Sequence, residues 1–180
     1  MKKSKIIFDN VHVFSPDMFK DERGYFFESY NANVFNNLLS SDISFVQDSH
    51  SFTKKYVLRG LHFQSNPYEQ DKLVRVVKGE IFDVVVDIRQ ESKTFGSWHG
   101  EVLSSDNNLH IWIPKGFAHG FIATSDEATV LYKTTEYYHP ECEKTIKYDD
   151  PDLDIKWPLE VKTVSAKDSD GIPFKDLYLR

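Results

Sequence analysis

His62 and Lys72 are the residues whose types and surroundings most clearly suggest chemistry. Each lies in a stretch with the apolar pattern of a buried strand, residues 57–64 for the histidine and 72–79 for the lysine. Burying an ionisable group destabilises a fold by several kcal/mol unless a partner compensates it. An imidazole beside a fixed positive charge is what proton abstraction next to a ketone requires. We therefore predict acid–base chemistry. A hydrogen-bonded core histidine and a lysine that reaches solvent remain alternatives.

Strand alternation predicts which side chains around His62 share a face. Leu58, Gly60, His62 and Gln64 lie on one side of a regular strand, and Arg59 lies on the other. If the first side faces a barrel cavity, His62 points into it and Gly60 leaves room for a ligand. Arg59 then points outward, unless a bulge at Gly60 redirects it. The spacing leaves both orientations open.

Tyr132 and His119 are two further candidates. Tyr132 alternates in phase with Val130 and Thr134, which predicts a buried phenol, although most buried tyrosines only hydrogen-bond a neighbour. His119 lies between a tight Pro- and Gly-containing turn at 114–116 and a strand predicted to begin at Gly120. This spacing is typical of a small barrel whose histidine points inward.

A metal site is the main chemical alternative. His62, His119 and Glu69 could bind iron, manganese or zinc inside a barrel. Metal-binding barrels of this kind carry a His-x-His pattern in their sequence. Here Gln64 stands in place of the second histidine. Glutamine is a poor ligand for these ions, so we predict no catalytic metal. Cys142 lacks the setting of a nucleophile, and no Gly-rich phosphate loop is present.

Composition limits the class of protein. The 180 residues suit one domain, residues 1–180, and carry a net charge of −6 from 28 acidic and 22 basic residues. Such a balance argues against nucleic-acid binding, so an anionic ligand must meet a local cluster of Arg and Lys. The single cysteine excludes an internal disulfide and fits a reducing compartment. No leader or membrane-length apolar run is visible, which predicts a cytoplasmic protein without membrane contact.

Short strands dominate the predicted secondary structure, at residues 72–78, 81–88, 98–103, 109–113, 120–123 and 130–135. They are separated by turn residues and favour an antiparallel sandwich or barrel of the jelly-roll type. One short helix is predicted over 32–39, after Asn31, and the Asp- and Pro-rich stretch from Tyr148 is predicted to cover the barrel as a strap. Several N-terminal aromatics could form a partner surface or fill the core: Phe8, Phe14, Phe19, Tyr25, Phe26 and Phe27.

Several long segments in order resemble one family, the dTDP-4-dehydrorhamnose 3,5-epimerases. They are DERGYFFE at 21–28, FVQD at 45–48, LRGLH at 58–62, KLVRVV at 72–77, IPKGFAHGF at 113–121, YDDP at 148–151 and SAKD at 165–168. The resemblance implies an all-β, cupin-type jelly roll with a few short helices, a homodimer, and an epimerase without cofactor. Its implied substrate is a thymidine-diphosphate 4-keto-6-deoxyhexose, inverted at C3 and C5 in dTDP-L-rhamnose biosynthesis for polysaccharides.

The resemblance also implies the role of each residue. The catalytic set is His62 as base, Asp168 as its orienting carboxylate, Lys72 at the C4 oxygen and Tyr132 as acid on the opposite face. The binding set comprises Arg23 and Arg59 at the diphosphate, Tyr138 stacked on thymine, and other contacts from Glu28, Gln47, Asp48, Ser49, His119, Glu143 and Lys167. The strand with Arg23 and Glu28 is implied to come from the dimer partner.

Two positions depart from the family pattern, and three other functions stay open. Ser49 stands where asparagine is usual, and Asp71 stands where glycine is common, with its side chain predicted to point outward. The same residues could serve an epimerase acting at C3 or C5 alone, on a related keto-deoxysugar. A metal-dependent cupin enzyme is a second alternative. A sugar-binding jelly roll without activity is a third, but it would have no use for His62, Tyr132 and Asp168 together.

Overall fold

The computed structural model describes residues 1–178 and is built mainly of antiparallel strands. The strands are β1 Lys2–Ile7, β2 Val11–Ser15, β3 Phe19–Asp21, β4 Gly24–Phe26, β5 Gln47–Lys54, β6 Leu58–Gln64, β7 Lys72–Lys78, β8 Glu80–Asp87, β9 Trp98–Ser104, β10 His110–Ile113, β11 Phe117–Ala123, β12 Glu127–Thr134 and β13 Glu143–Thr145. The helices are α1 Ala32–Leu39 and α2 Ala166–Ser169, with a 3-10 turn at Phe174–Asp176.

Two large sheets and one hairpin contain these strands. The six-stranded sheet has the order β1-β2-β10-β7-β12-β5, and the five-stranded sheet has the order β13-β6-β11-β8-β9. Strands β3 and β4 form a separate hairpin. Most neighbours in each sheet are distant in sequence, as in a jelly roll. The all-β prediction is therefore confirmed.

The inner faces of the two sheets enclose the central core. Val74 and Val130 of the six-stranded sheet pack with Val85 and Phe117 of the five-stranded sheet in one fully buried cluster. On β7, β12 and β11 some of the inward-facing positions are occupied by polar side chains instead of apolar ones. A cavity therefore opens between the sheets where the apolar rows end.

The outer face of the six-stranded sheet is covered by α1. Asn31 caps this helix, since its side chain accepts a hydrogen bond from the Val34 amide at 3.2 Å. Phe35 is fully buried against Phe14 and Trp112 of the sheet. The predicted helix is confirmed with its bounds. Among residues 1–178 no helix is long and apolar enough to span a membrane.

The C-terminal segment covers the outer face of the five-stranded sheet. Leu153 is buried in the cluster on that face, and Trp157 packs edge-to-face on Phe82 with ring centroids 6.2 Å apart. Bridges from Val57 to Thr163 and from Ile146 to Ile172 attach the segment to the sheet. The predicted strap from Tyr148 is confirmed.

The N-terminal aromatics have two different fates. Phe14 is buried and Phe8 packs against the central core. Phe19, Tyr25 and Phe26 in the β3–β4 hairpin are instead 66%, 59% and 67% exposed. The core therefore accounts for the first two, and Phe27 is partly buried beside His110. The hairpin leaves a patch of large apolar side chains on the surface.

A bulge at Gly60 resolves the open orientation of Arg59. His62 pairs with His119, whereas Arg59 pairs with Phe121, so β6 has one extra residue over this interval. Gly60 is buried and has φ +135°, a conformation that other residues rarely adopt. The bulge brings Arg59 to the same side of the sheet as His62, contrary to simple alternation.

We expect the Gly60→Ala variant to be strongly destabilised. A Cβ there would lie 2.5 Å from the Gly120 Cα, on a backbone that cannot easily shift. Clash and backbone strain together should lower the free energy of unfolding by at least about 2 kcal/mol, measured by urea denaturation. Gly24→Ala is the matched control, because Gly24 has φ +126° but no atom within 4 Å of the position that an alanine Cβ would take. Equal losses in the two variants would contradict the clash.

Candidate active site

A cavity of about 390 Å³ lies between the two sheets. This is within the range of roughly 300–1,000 Å³ that is usual for small-molecule sites. Its lining residues come from both sheets and from the strap: Gln47, Ser51, Arg59, His62, Gln70, Lys72, His119, Phe121, Tyr132, Thr134, Tyr138, Glu143 and Lys167. Nine of the residues predicted from the sequence are in this set.

His62 and Asp168 form a hydrogen-bonded pair at the cavity wall. The Nε2 atom of His62 lies 2.6 Å from Oδ1 of Asp168, while Oδ2 of Asp168 accepts a hydrogen bond from the Gly60 amide at 3.3 Å. Burial raises the pKa of Asp168, but hydrogen bonds and charge from His62, together with the Gly60 amide, outweigh it and hold this pKa below its ordinary value. Asp168 is therefore an ionised partner for the imidazole at neutral pH.

Asp168 lies in the strap and contacts His62, which is 106 positions away in sequence. Helix α2 begins after Ser165, whose hydroxyl accepts a hydrogen bond from the Asp168 amide at 3.1 Å. The segment before this helix is attached to the sheet, since the Leu58 amide donates to the carbonyl of Thr163 at 3.0 Å. These contacts with the sheet and within the turn fix the position of the carboxylate.

Lys72 begins β7 and directs its side chain into the same cavity. The Lys72 side chain is partly accessible because it faces the cavity. Its ammonium group is nevertheless surrounded by protein atoms. It makes no salt bridge within residues 1–178. Burial lowers the pKa of Lys72 to about 8, against the opposing charges of Glu143 and Asp83. A buried ammonium without a partner is suited to hydrogen-bond an anionic oxygen of a ligand.

Tyr132 reaches the cavity from the opposite sheet. It lies on β12 of the six-stranded sheet, whereas His62 lies on β6 of the five-stranded sheet. Its ring packs against the central core, which fixes the side chain. The phenol and the imidazole therefore approach the cavity from facing walls.

His119 forms a second histidine–carboxylate pair. It is the register partner of His62 on the neighbouring strand β11. Its Nε2 atom lies 2.8 Å from Oδ2 of Asp83, a fully buried residue on β8. Both histidines of the cavity are thus oriented by a carboxylate behind them.

Tyr138, Glu143 and Lys167 form a polar group at the cavity mouth. The Tyr138 hydroxyl donates to Oε2 of Glu143 at 2.6 Å, and the Lys167 ammonium also donates to this oxygen. Burial raises the pKa of Glu143, but the hydrogen bonds from Lys167 and Tyr138 hold it below its ordinary value. Tyr138 itself is about half exposed and offers a free aromatic face.

Cations outnumber carboxylates on the cavity lining. Arg59, Lys72 and Lys167 stand against Glu143 alone. The Arg59 Nε donates to the Thr53 hydroxyl at 2.9 Å, which holds the guanidinium at the edge of the cavity. The predicted local cluster of positive charge, within a chain of net charge −6, is therefore present.

Four predicted binding residues lie outside this cavity. Arg23 is in the exposed hairpin and bonds Asp21 at 2.5 Å, and Glu28 follows the same hairpin. Asp48 and Ser49 of β5 line an adjacent cavity of about 340 Å³ instead. The lining of the larger cavity in a single chain therefore does not include these four residues, and their contacts with a ligand stay a prediction.

The two departures from the family pattern have local explanations. Ser49 accepts a hydrogen bond from the Gln47 side-chain amide at 3.1 Å, which keeps Gln47 oriented. Asp71 does not line the cavity. Its carboxylate accepts hydrogen bonds from the Lys115 amide at 2.8 Å and the Thr135 hydroxyl at 2.9 Å. The charge of Asp71 is thus used to join two turns.

The residues weighed as metal ligands are not arranged around one point. Gln64 donates to the Tyr68 carbonyl at 2.6 Å and accepts from the His139 amide at 2.7 Å, so it serves the loops. Glu69 is not among the cavity-lining residues. No cluster of three His, Cys, Asp or Glu side chains suited to a metal occurs within residues 1–178. A reaction without metal stays a prediction.

Some residues of the site were missed by sequence reasoning. Asp83, Gln70 and Thr134 are examples, and only Asp83 left a usable signal. It is an acidic residue inside the apolar stretch 81–86, the same kind of signal that singled out His62. Gln70 has no feature in the sequence that separates it from an ordinary surface residue. Thr134 is marked only by its alternation with Tyr132, which does not distinguish a site residue from a core residue.

Comparisons with known proteins identify relatives over nearly the whole chain. The family model described as dTDP-4-dehydrorhamnose 3,5-epimerase matches residues 5–176. A protein of that name from Shigella flexneri is 50% identical over 167 residues, 93% of this chain and 92% of the relative. The crystal structure of such an enzyme from Elizabethkingia anophelis has a TM-score of 0.94 at 41% identity, with 98% of both chains covered. A Legionella pneumophila epimerase in complex with dTDP-4-keto-L-rhamnose has a TM-score of 0.92 at 47% identity, covering 98% of this chain and 93% of the other.

Fold and comparisons together define a cupin-type jelly-roll enzyme of the isomerase class. The chain belongs to the dTDP-4-dehydrorhamnose 3,5-epimerase family. The family, the fold class and the enzyme class predicted from the sequence are therefore confirmed.

Proposed function

We propose that this chain converts dTDP-4-dehydro-6-deoxy-D-glucose into dTDP-4-dehydro-L-rhamnose by inverting C3 and C5, in dTDP-L-rhamnose biosynthesis. The observation that carries the proposal is one cavity with a carboxylate-paired imidazole on one wall and a phenol on the facing wall. The Legionella relative, described with dTDP-4-keto-L-rhamnose bound, supports the substrate class. The reaction is proposed to need no metal or cofactor.

His62 acts as the base in this proposal. Hydrogens on carbons next to the C4 ketone are weakly acidic, and a neutral imidazole is basic enough to remove one near pH 7. Because Nε2 faces Asp168, the proton goes from carbon to Nδ1, and the C–H electron pair moves toward the C4 oxygen. The ionised Asp168 stabilises the imidazolium, and the Lys72 ammonium stabilises the enolate oxygen.

Tyr132 completes the inversion. Returning the proton from the face that lost it would restore the starting configuration. A phenol on the facing wall can instead donate its proton to the opposite face of the carbanion. The two groups must therefore act from different sides, and their positions on different sheets support this division of roles.

The remaining cavity residues are proposed to bind the nucleotide-sugar. Arg59 suits the diphosphate, because a guanidinium can hold two anionic oxygens at once. The exposed face of Tyr138 can stack on the thymine ring. The other proposed contacts from this cavity are Gln47, His119, Glu143 and Lys167.

The function is tested by proton NMR of the purified enzyme with the keto-sugar in heavy water. We expect deuterium at both C3 and C5 and a product with the L-configuration. Deuterium and inversion at one carbon only would instead support a single-site epimerase. Loss of activity after treatment with a chelator, restored by an added metal, would support the metal-dependent alternative.

We also propose that the enzyme is a homodimer in which the β3–β4 hairpin completes the partner's cavity. The hairpin exposes Phe19, Tyr25 and Phe26, and a patch of exposed apolar side chains of this kind marks an interaction surface. Arg23 and Glu28, the family's ligand contacts, lie outside the cavity of their own chain. A second copy is thus the simplest source of both side chains.

Complementation between two inactive variants tests this exchange. In a mixed dimer of His62→Ala and Arg23→Ala chains, one site carries both defects and the other carries neither. Random mixing after denaturation and refolding should recover about a quarter of the wild-type sites, measured as turnover. His62→Ala mixed with Lys72→Ala is the control, since both residues line the same cavity and no intact site can form. No recovery in the first mixture would argue that Arg23 acts within its own chain.

We further propose a cytoplasmic location and a single domain over residues 1–180. The lone Cys142 fits a reducing compartment. Strands from both halves of the chain alternate within each sheet, which supports one cooperative unit.

A further inference from the structure

Asp83 is a fully buried carboxylate that the proposed proton transfers leave without a role. It lies on β8 with its side chain toward the cavity wall, and Oδ2 lies 2.8 Å from Nε2 of His119. Its Oδ1 atom is buried without a hydrogen-bond partner among the described residues. An unpaired, buried carboxylate oxygen is unfavourable for folding, so its presence beside an enzyme cavity points to a function.

Two carboxylates lie where their charges favour the ammonium form of Lys72. Glu143 lines the same cavity, and Asp83 lies directly behind His119 on the cavity wall. Glu143 already accepts hydrogen bonds from Tyr138 and Lys167, so a second ammonium shares its charge. The side chain of Asp83 hydrogen-bonds only His119, and no permanent cation bonds it within residues 1–178. The other titratable or charged groups on the cavity lining are Arg59, His62, His119 and Tyr132.

We propose that Asp83 is a positioning residue that fixes His119 with its Nε2–H toward the carboxylate and, through its buried charge, holds Lys72 as the ammonium facing the ketone oxygen. This inference rests on the proposed function, because Lys72 needs its proton only when an enolate forms. Burial by itself favours the neutral amine of Lys72. The charge of Asp83 opposes that tendency and leaves the N–H groups of the ammonium free for the ligand. A carboxylate bonded directly to Lys72 would use those N–H groups itself.

The Asp83→Asn variant separates charge from shape, because it keeps the size and an acceptor oxygen for Nε2–H. We expect kcat to fall about fivefold at pH 8 with KM nearly unchanged, since the fraction of ammonium falls. The alkaline limb of kcat/KM, expected in the wild type near the Lys72 pKa of about 8, should move to lower pH by about one unit. A purely structural Asp83 would change the melting temperature and leave this limb in place, which would overturn the proposal.

Glu101→Gln is the matched control. Glu101 is also a carboxylate paired with a histidine, His99, at 3.0 Å, but it lies on β9 outside the cavity lining. This variant should keep the wild-type pH profile. A shift of the alkaline limb as large as that of Asp83→Asn would show a general effect of lost charge and would overturn the assignment to Asp83.

A measurement on the wild-type protein covers the case in which Asp83→Asn does not fold. Nitrogen-15 NMR of the histidine side chains should show the His119 proton on Nε2 at pH 7. An unprotonated Nε2 would mean that Asp83 is the donor and carries no charge, which overturns the proposal. This experiment needs no substrate. If His119 shows the expected tautomer but the enzyme does not act on the keto-sugar, the proposed function is refuted, and the role of Lys72 with it. The positioning of His119 by Asp83 would still be supported.

Discussion

Replacing His62 by alanine should lower deuterium uptake from heavy water into C3 and C5 of the keto-sugar by about a hundredfold or more. Within residues 1–178, His62 and its neighbour His119 are the two imidazoles of the cavity that have a carboxylate behind them. His62 is the one assigned as the base opposite Tyr132. A lost general base lowers rates by about a hundred- to ten-thousandfold. Proton NMR follows the loss of both substrate signals over hours, so residual exchange of this size is measurable.

His99→Ala is the control for the removal of a paired histidine. His99 lies 3.0 Å from Glu101, a similar pair on β9 that does not line the cavity. This variant should exchange both hydrogens at the wild-type rate. Added imidazole should partly restore exchange in His62→Ala, because the deletion leaves space for it in the cavity. Normal exchange in His62→Ala without imidazole would contradict the role of His62 and would favour His119 as the base.

The sequence predicted the inward direction of Tyr132 because β12 is regular around it. From Val130 to Thr134 each residue pairs with one partner on β7 and one on β5, so strict alternation holds. Arg59 shows the opposite case. The extra residue at Gly60 moves the side chains that precede it in β6 to the opposite face of the sheet. From the sequence, a glycine in a strand indicates only that a bulge could occur.

Contacts between distant segments could not be derived from spacing at all. Asp168 reaches His62 on a four-residue helix in the strap, and no periodic pattern connects the two positions. Only the resemblance to a family indicated this pair. The position of Arg23 outside the cavity of its own chain could not be predicted from periodicity either, because it depends on the direction in which the β3–β4 hairpin projects.

Strand ends were the least accurate part of the predicted fold. The predicted strand at 120–123 is part of β11, which begins three residues earlier at Phe117. Phe117 pairs with Asp87 of β8, so a neighbouring strand rather than local propensity sets the start. This extension matters for the site, because it places His119 inside the ladder as the partner of His62.

Tyr132→Phe should separate proton removal from inversion. The variant keeps the ring that packs against the core and loses only the hydroxyl. His62 can still remove a hydrogen and return deuterium to the same face, so exchange should continue within about tenfold of the wild-type rate. Formation of the inverted product should fall by at least about a hundredfold, because no acid remains on the facing wall.

Tyr30→Phe is the control for loss of a phenol, since Tyr30 lines the adjacent cavity and not this one. It should form product at the wild-type rate. The decisive quantity is the ratio of exchange to inversion, measured in one NMR time course for each variant. If Tyr132→Phe forms inverted product at the wild-type rate, Tyr132 is not the acid. If exchange and inversion fall together, the phenol instead stabilises the enolate, and the acid must be sought elsewhere on the wall formed by β5 and β12.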